Sequence, residues 1–417
     1  MDVSGDPLLL ARWRTWNGAI DCGHSERVFS ADELRALCDD VAEQLAAAEV
    51  KPGDPVVLAL ANTAAFPVLL MALLQLRCNP ILAHPATPLP ELKRIAGAYG
   101  ALFAAHDFID GVSALGDGTG EATAAIPVGS MEVSLLPVGS DAGDAASIPG
   151  MGVILHPTSG TYGAARYCIR NQGAAVAEAV NYVSRVSAYR EARVTVTTPL
   201  THAYAIGFGL VSSIITDSVL AVSPVFNPKR ILRLERETPS TILALVPPMV
   251  RTLTAMNAGD PGRAMSPNTF YAGAALDQAS AEAFEKTFDT RLFTILGATE
   301  SGAIATTWSS DERLGGVGRP LDGIKASVVD TKRFEDLGEG VGELDDAGLS
   351  PRRRQGDAGI VSHRRCRFHP RRRHGAYRRP RPRHHQSRRH EGRPGRGRGG
   401  DPRRAWRCRR RGLSGAS

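Results

Sequence analysis

No run of about 18 apolar residues occurs in the 417-residue chain, so a membrane-spanning helix is not expected. The opening Met1-Asp2-Val3-Ser4-Gly5 has no basic patch leading into an apolar core, which argues against a signal peptide. Cysteine is scarce and scattered: Cys22, Cys38, Cys78, Cys168, Cys366 and Cys408 never form a C-x-x-C pair. That spacing argues against a structural zinc site or a disulfide framework and makes a reduced, cytoplasmic protein the expectation. Lysine is missing altogether from residues 351–417, which instead hold 24 Arg against Asp357, Glu391 and Asp401. The tail therefore carries +21, and the preceding 350 residues carry −14. That tail has only four Ile, Leu, Val or Phe residues, Ile360, Val361, Phe368 and Leu413, too few to build a core. Disorder is the expectation for residues 346–417, with nucleic-acid binding through it limited to non-specific phosphate contacts.

What the body does contain is alternation. Ser30-Ala31-Asp32-Glu33 has capping-box spacing, followed by Leu34, Leu37, Val41 and Leu45 on one helical stripe. Short apolar runs at Pro55 to Leu60, Pro80 to Leu82 and Leu102 to Ala105 read as strands. The segments between, about Phe66 to Leu76 and Pro90 to Ala98, read as helices. Residues 111–150, rich in Gly, Ala, Ser and Asp, read as a surface connection with one strand at most. Met151 to Leu155 is a buried strand, and Ala175 to Val186 a helix turning Val176, Val180, Val183 and Val186 to the core. Strands then recur at Arg193 to Thr198, Val219 to Ser223, Thr241 to Val246, Phe270 to Ala272 and Arg291 to Leu296. Helices stand between several of them, one opened by Asn227-Pro228 as N-cap and first turn. The fold class is α/β, with two doubly wound, mostly parallel sheets whose ligands bind beyond the carboxyl ends of the strands.

Between two such strands lies Thr158-Ser159-Gly160-Thr161-Tyr162-Gly163-Ala164-Ala165-Arg166. Glycines that turn backbone N–H groups inward, hydroxyls that donate and a terminal cation suit a phosphate-holding loop. An ordinary Ser/Thr/Gly turn is the plain alternative. Downstream come Pro199-Leu200-Thr201-His202-Ala203-Tyr204-Ala205-Ile206-Gly207, then Gly273-Ala274-Ala275-Leu276, then Gly297-Ala298-Thr299-Glu300, and Gly316-Val317-Gly318-Arg319-Pro320. On local grounds His202 could be a core histidine, Tyr204 a packing group, and Glu300 a turn cap.

Taken in order, these motifs resemble those of the adenylate-forming (AMP-binding) superfamily of acyl- and aryl-CoA synthetases, over about residues 10 to 345. The resemblance implies a large N-terminal domain over residues 1–345, comprising the two sheet subdomains and part of a β-barrel subdomain. It implies that a fatty or aromatic acid is activated with ATP to an acyl-adenylate, then passed to a thiol of coenzyme A or of an acyl-carrier protein. Thr158, Ser159, Gly160, Thr161, Tyr162, Gly163 and Arg166 would hold the β- and γ-phosphates. Thr299 would touch the α-phosphate and Glu300 would bind Mg²⁺. Gly273, Ala274, Ala275 and Gly297 would line the nucleotide, while His202, Tyr204 and Gly207 would line the acid. Against the family pattern, Arg166 replaces Lys, Tyr162 replaces Thr, Leu276 follows Ala275 without the usual Pro, and Leu296 replaces Tyr. The other reading is a degenerate, non-catalytic ligase or a nucleic-acid binder.

The family's small C-terminal domain, with its hinge and catalytic lysine, is not found in residues 346–417. GC-rich codons allowed for Arg371 to Arg383, read one base over, can encode DGDTVHIGGRARD, and those from His384 onward can encode IINRGGMKVDPAEVE. Both are hinge-like passages, so the tail reads as that domain's coding sequence out of frame. The chain as it stands is then expected to bind ATP but turn over slowly. The gene around codons 340–417 should, shifted by one base, stay open for roughly a hundred residues, the size of a small domain. Sequencing the DNA checks this, and an early stop in that frame would refute it.

Overall fold

The computed structural model describes residues 8–23, 27–107, 124–138, 145–158, 166–257, 265–308, 317–322 and 324–325, with the backbone of 369–370. Two compact units divide the chain, Met1–Arg372 and Arg373–Ser417, and the second lies wholly outside the described residues. The frame-shifted reading of the tail therefore falls outside them too.

Helix α1 (Leu8–Thr15) leads into β1 (Ala19–Cys22), β2 (Arg27–Ser30) and α2 (Ala31–Ala47). Next come β3 (Pro55–Ala59), α3 (Ala65–Gln75), β4 (Asn79–Leu82), α4 (Leu89–Tyr99), β5 (Phe103–His106), β6 (Ala124–Val128) and β7 (Met131–Pro137). Strands β8 (Ile154–Pro157) and β9 (Tyr167–Arg170) flank the hydroxyl-rich loop, followed by α5 (Gln172–Arg185) and β10 (Arg193–Val196). A π-helical segment (Ala205–Val211) runs into α6 (Ser212–Ile215), then β11 (Val219–Val222), α7 (Pro228–Glu237), β12 (Ile242–Leu245) and α8 (Pro247–Asn257). The series closes with β13 (Asn268–Tyr271), α9 (Gln278–Phe288), β14 (Leu292–Ala298), β15 (Gly302–Thr306), β16 (Arg319–Pro320) and β17 (Ile324–Lys325).

One sheet has the order β6-β7-β5-β3-β4-β8-β9, and the other β16-β15-β14-β13-β12-β10-β11-β1-β2. Both are parallel at their centres and antiparallel at their margins. Side chains alternate across each strand, and because the central strands are buried on both faces, alternate residues enter different cores. Val56 and Leu58 of β3 join a central core shared with Val194, Val196, Ile242 and Phe270 of the other sheet. Val57 and Ala59 face the opposite way, onto Leu92, Ile95 and Ala96 of α4. On the far side of the second sheet, Leu243, Leu245 and Tyr271 pack on Val250, Leu253, Phe284 and Phe288 of α8 and α9. Helix α3 sits in the central core with every residue from Ala65 to Leu74 buried, which accounts for its unbroken apolar sequence.

Local sequence explains the helix starts. Ser30 and Glu33 form the expected reciprocal capping box on α2. Asn171, Asn227 and Asp277 cap α5, α7 and α9 by accepting from the backbone N–H three residues on. Cysteine behaves as expected of packing groups: burial pushes Cys22 up to about 11 and Cys38 and Cys78 up to about 12. No helix among the described residues is long and apolar enough to cross a membrane.

Two expectations need correction, and one strand pairing has no counterpart among them. Residues 124–137 form two antiparallel strands, β6 and β7, rather than one at most. Val180 is exposed; the buried face of α5 runs through Ala175, Val176, Glu178, Ala179 and Tyr182. Four steps of 100° overshoot a full turn by 40°, so successive valines at that spacing drift off the face. Finally, β1 inserts beside β11 in parallel, nearly 200 residues away in sequence, with Asp21 paired to Arg193 at 2.6 Å. Four residues of β1 carry too little periodicity to reveal this.

Candidate active site

Most of the predicted loops converge on the carboxyl edge of the second sheet, because its strands β10, β12, β13 and β14 run parallel. His202 follows β10, Gly273 follows β13, and Gly297 lies at the end of β14, where the register with β15 shifts. Gly273 to Ala275 are exposed between buried Tyr271 and Leu276. Gly273 has φ +91°, a left-handed conformation that a side chain would disfavour, so bare backbone is presented there. In the β14–β15 hairpin, the N–H of Ser301 donates to the carbonyl of Ala298 at 3.1 Å. This tight turn leaves Thr299 half-buried and Glu300 exposed.

The hydroxyl-rich loop belongs to the other sheet, as the connection between β8 and β9. Its neck is closed twice over. Both the N–H and the hydroxyl of Thr158 donate to the carbonyl of Arg166, at 2.8 and 3.0 Å. Arg166 is exposed at that neck. Ser159, Gly160, Thr161, Tyr162 and Gly163 lie outside the described residues. The Cys168 thiol on β9 is raised first by burial, with Arg170 opposing and Glu300 adding to the rise. Glu300 thus lies within electrostatic reach of β9.

A residue pair that sequence reading passed over joins these parts. Arg170, the last residue of β9, pairs with Glu178 of α5 at 2.7 Å, both side chains almost wholly buried. Glu178 also accepts from the N–H of Ala303, just after the hairpin turn, at 2.9 Å. Backbone closes on this carboxylate from two sides. A Cβ at Gly207 or at Gly302 would come within 2.8 Å of Glu178, so only glycine lets the chain approach. Gly207, expected to line the acid, is buried and abuts Glu178. The signal in the sequence was an acid on the buried stripe of an amphipathic helix, which a structureless reading assigns to the surface.

Asn62 is a second such residue. It lies beyond β3, is buried, donates to the carbonyl of Thr198 at 2.7 Å and accepts from the N–H of Leu200 at 2.7 Å. It thus clamps the backbone that delivers His202. The N–H of His202 donates to the carbonyl of Pro199 at 3.0 Å, and its own carbonyl accepts from Ile206 at 3.1 Å. The His202 side chain stays exposed, with its ring 6.5 Å from that of His84. Desolvation and, second, His84 lower its pKa, which favours the neutral ring. Tyr204 packs its ring 5.3 Å from Phe208, and its enclosed hydroxyl has no partner among the described residues.

The sequence matches the AMP-binding enzyme family over residues 14–345. The chain belongs to that family. No curated protein matches it. Among solved structures, ATP-bound MatB from Rhodopseudomonas palustris aligns with a TM-score of 0.62 at 18% identity, over 79% of this chain and 67% of that one. The o-succinylbenzoate coenzyme A synthetase MenE from Bacillus subtilis, in complex with AMP, gives 0.60 at 20%, over 78% and 82%. The inhibitor-bound N-terminal domain of FACL13 from Mycobacterium tuberculosis gives 0.61 at 15%, over 79% and 85%. At such identities these likenesses establish the AMP-binding fold, and residue roles rest on the geometry above.

Proposed function

We propose that this AMP-binding enzyme activates a carboxylic acid with ATP and transfers the acyl group to a thiol, coenzyme A or a carrier-protein thiol. The acid's oxygen attacks the α-phosphorus and pyrophosphate leaves; the thiol then attacks the acyl carbon and AMP leaves. The observation that carries this reading is the junction at Glu178. One buried carboxylate holds together the strand leaving the hydroxyl-rich loop, the segment after His202, and the hairpin bearing Thr299 and Glu300. A reaction of this kind is accelerated mainly by position and charge neutralisation, and a shared rigid anchor serves both.

The residues fit the groups assigned to them. Gly273, Ala274, Ala275 and Gly297 offer exposed backbone against which a flat base can lie. Arg166 offers an exposed cation at the loop neck, beside Thr158, for phosphate oxygens, and Ser159, Gly160, Thr161, Tyr162 and Gly163 would complete that cradle. Among the described residues no group of three or more His, Cys, Asp or Glu could cage a metal ion. Mg²⁺ suits this arrangement, since it binds through one or two carboxylates together with substrate phosphates, here Glu300. When bound, the ion would neutralise charge building on the phosphates, and Thr299 would donate to the α-phosphate. His202, neutral and exposed, and Tyr204 border the acid.

The chain spans about two thirds of full-length MatB and most of the isolated N-terminal domain of FACL13. The extent of the family match, residues 14–345, supports assigning residues 1–345 as the large domain; residues 346–417 are assigned as an out-of-frame remnant on the sequence alone. The assignment of Glu300 is tested by calorimetry. Glu300→Gln should weaken Mg-ATP binding about tenfold, the size of a lost charge-assisted contact, and leave metal-free AMP binding within twofold. Arg166→Ala should weaken Mg-ATP alone by a similar factor. Equal loss of both ligands in Glu300→Gln would remove the metal role.

A further inference from the structure

We infer that His84 is a second binding residue for the carboxylate of the acid, gripping it together with His202 across the gap between the two sheets. The inference rests on the reading of the site just given and extends it to a residue outside every motif singled out in the sequence. His84 follows β4 of the first sheet and His202 follows β10 of the second, yet their rings lie 6.5 Å apart at an interplanar angle of 56°. That separation is too wide and too tilted for stacking. It leaves room for one oxygen to accept from an N–H of each ring at about 2.8 Å. Both residues remain partly open to solvent at this gap.

The His84 ring is prepared for this task. The N–H of Ala86 donates to its Nδ1 at 3.1 Å. A nitrogen that accepts cannot also carry a proton, so the proton sits on Nε2 and the free end of the ring is a donor. The turn carrying it is locked: the N–H of Thr87 donates to the His84 carbonyl at 2.9 Å. The carbonyl of Pro85 meets Nε2 of buried His106 at 3.2 Å. Desolvation lowers the pKa of His84 as it does that of His202. Two neutral imidazoles, each with a donor and neither repelling the other, suit an anionic oxygen shared between them. A cation between them would instead need both lone pairs, and His84 has spent one on Ala86. The ligand chemistry indicated is thus a carboxylate, the head group common to every acid substrate.

Acetate is that head group alone and serves as the probe. The ring carbon-bound protons of His84 and His202 are followed by NMR in the full chain with AMP present, assigned with His84→Gln and His202→Gln. Sodium acetate is titrated against sodium chloride at equal ionic strength. The expected result is that both rings respond together with one dissociation constant. His84→Leu should weaken acetate binding about tenfold, as loss of a hydrogen bond to a charged group does, and His84→Gln, which keeps a donor, by less. Mg-ATP affinity by calorimetry should stay within twofold in both variants. A response of His202 alone, or of neither ring, in a chain that binds Mg-ATP would overturn the inference and leave the proposed function standing. A chain that fails to bind Mg-ATP would sink the proposed function and this inference with it.

Discussion

Glu178→Ala is expected to lower the unfolding free energy by about 3–5 kcal/mol, the cost of leaving one buried charge without its partner. Arg170 would then sit almost wholly buried with no counter-ion, and the N–H of Ala303 would lose its acceptor. The expected magnitude comes from the asymmetry of such pairs. Desolvating both ions nearly cancels their attraction, so removing one costs far more than removing both. Replacing both, Arg170→Met with Glu178→Met, should therefore recover most of the lost stability in urea melts. Function should not recover with it. Apolar side chains cannot accept from Ala303, so the hairpin carrying Thr299 and Glu300 loses its tie to the loop strand, and Mg-ATP affinity should stay reduced. A double variant that regains both stability and ATP affinity would show that the pair only fills space.

The second large effect is on acid stability. His156 lies on β8, two residues before the loop begins at Thr158, and is 1% exposed. Neither ring nitrogen has a partner among the described residues. Burial pushes its pKa down to about 3, with the nearby Arg170 adding to the fall. The unfolded chain takes up this proton as pH drops through its ordinary value of about 6.5, and the folded chain does not until near pH 3. The folded state thus loses stability progressively below pH 6.5, by about 2 kcal/mol at pH 5 from this residue alone. His156→Leu, which has nothing to protonate, should flatten that slope in denaturant titrations between pH 7 and 5. A slope unchanged by the substitution would mean that other groups cause it.

Much of this protein is legible from neighbouring residues. The capping box at Ser30 and Glu33, the Asn227-Pro228 helix start and the alternation of β3, α3, β4, α4 and β5 depend on residues within a few positions of one another. So do the glycine-bearing loops at 158–166, 273–275 and 297–300, whose residue types announce turns and donors wherever the chain carries them. These patterns were sufficient to indicate two doubly wound sheets with glycine-bearing loops at their carboxyl edges. Short range also explains the failures. Strand β1, four residues long, has no period to read, and Val180 sits one step beyond the face that its neighbours define.

The partnerships that make the loops a site lie far apart along the chain. Asn62 reaches Leu200 across 138 positions, Glu178 reaches Ala303 across 125, and His84 meets His202 only because β4 and β10 end at the same gap. Nothing local distinguishes Glu178 from a solvated helix acid; its burial follows from Arg170 beside it and two glycines that let backbone close over it. Hydrogen-bond donors and acceptors are written in the residue types. Whether two of them meet, away from water and at bonding distance, was decided by how the two sheets pack against their common core.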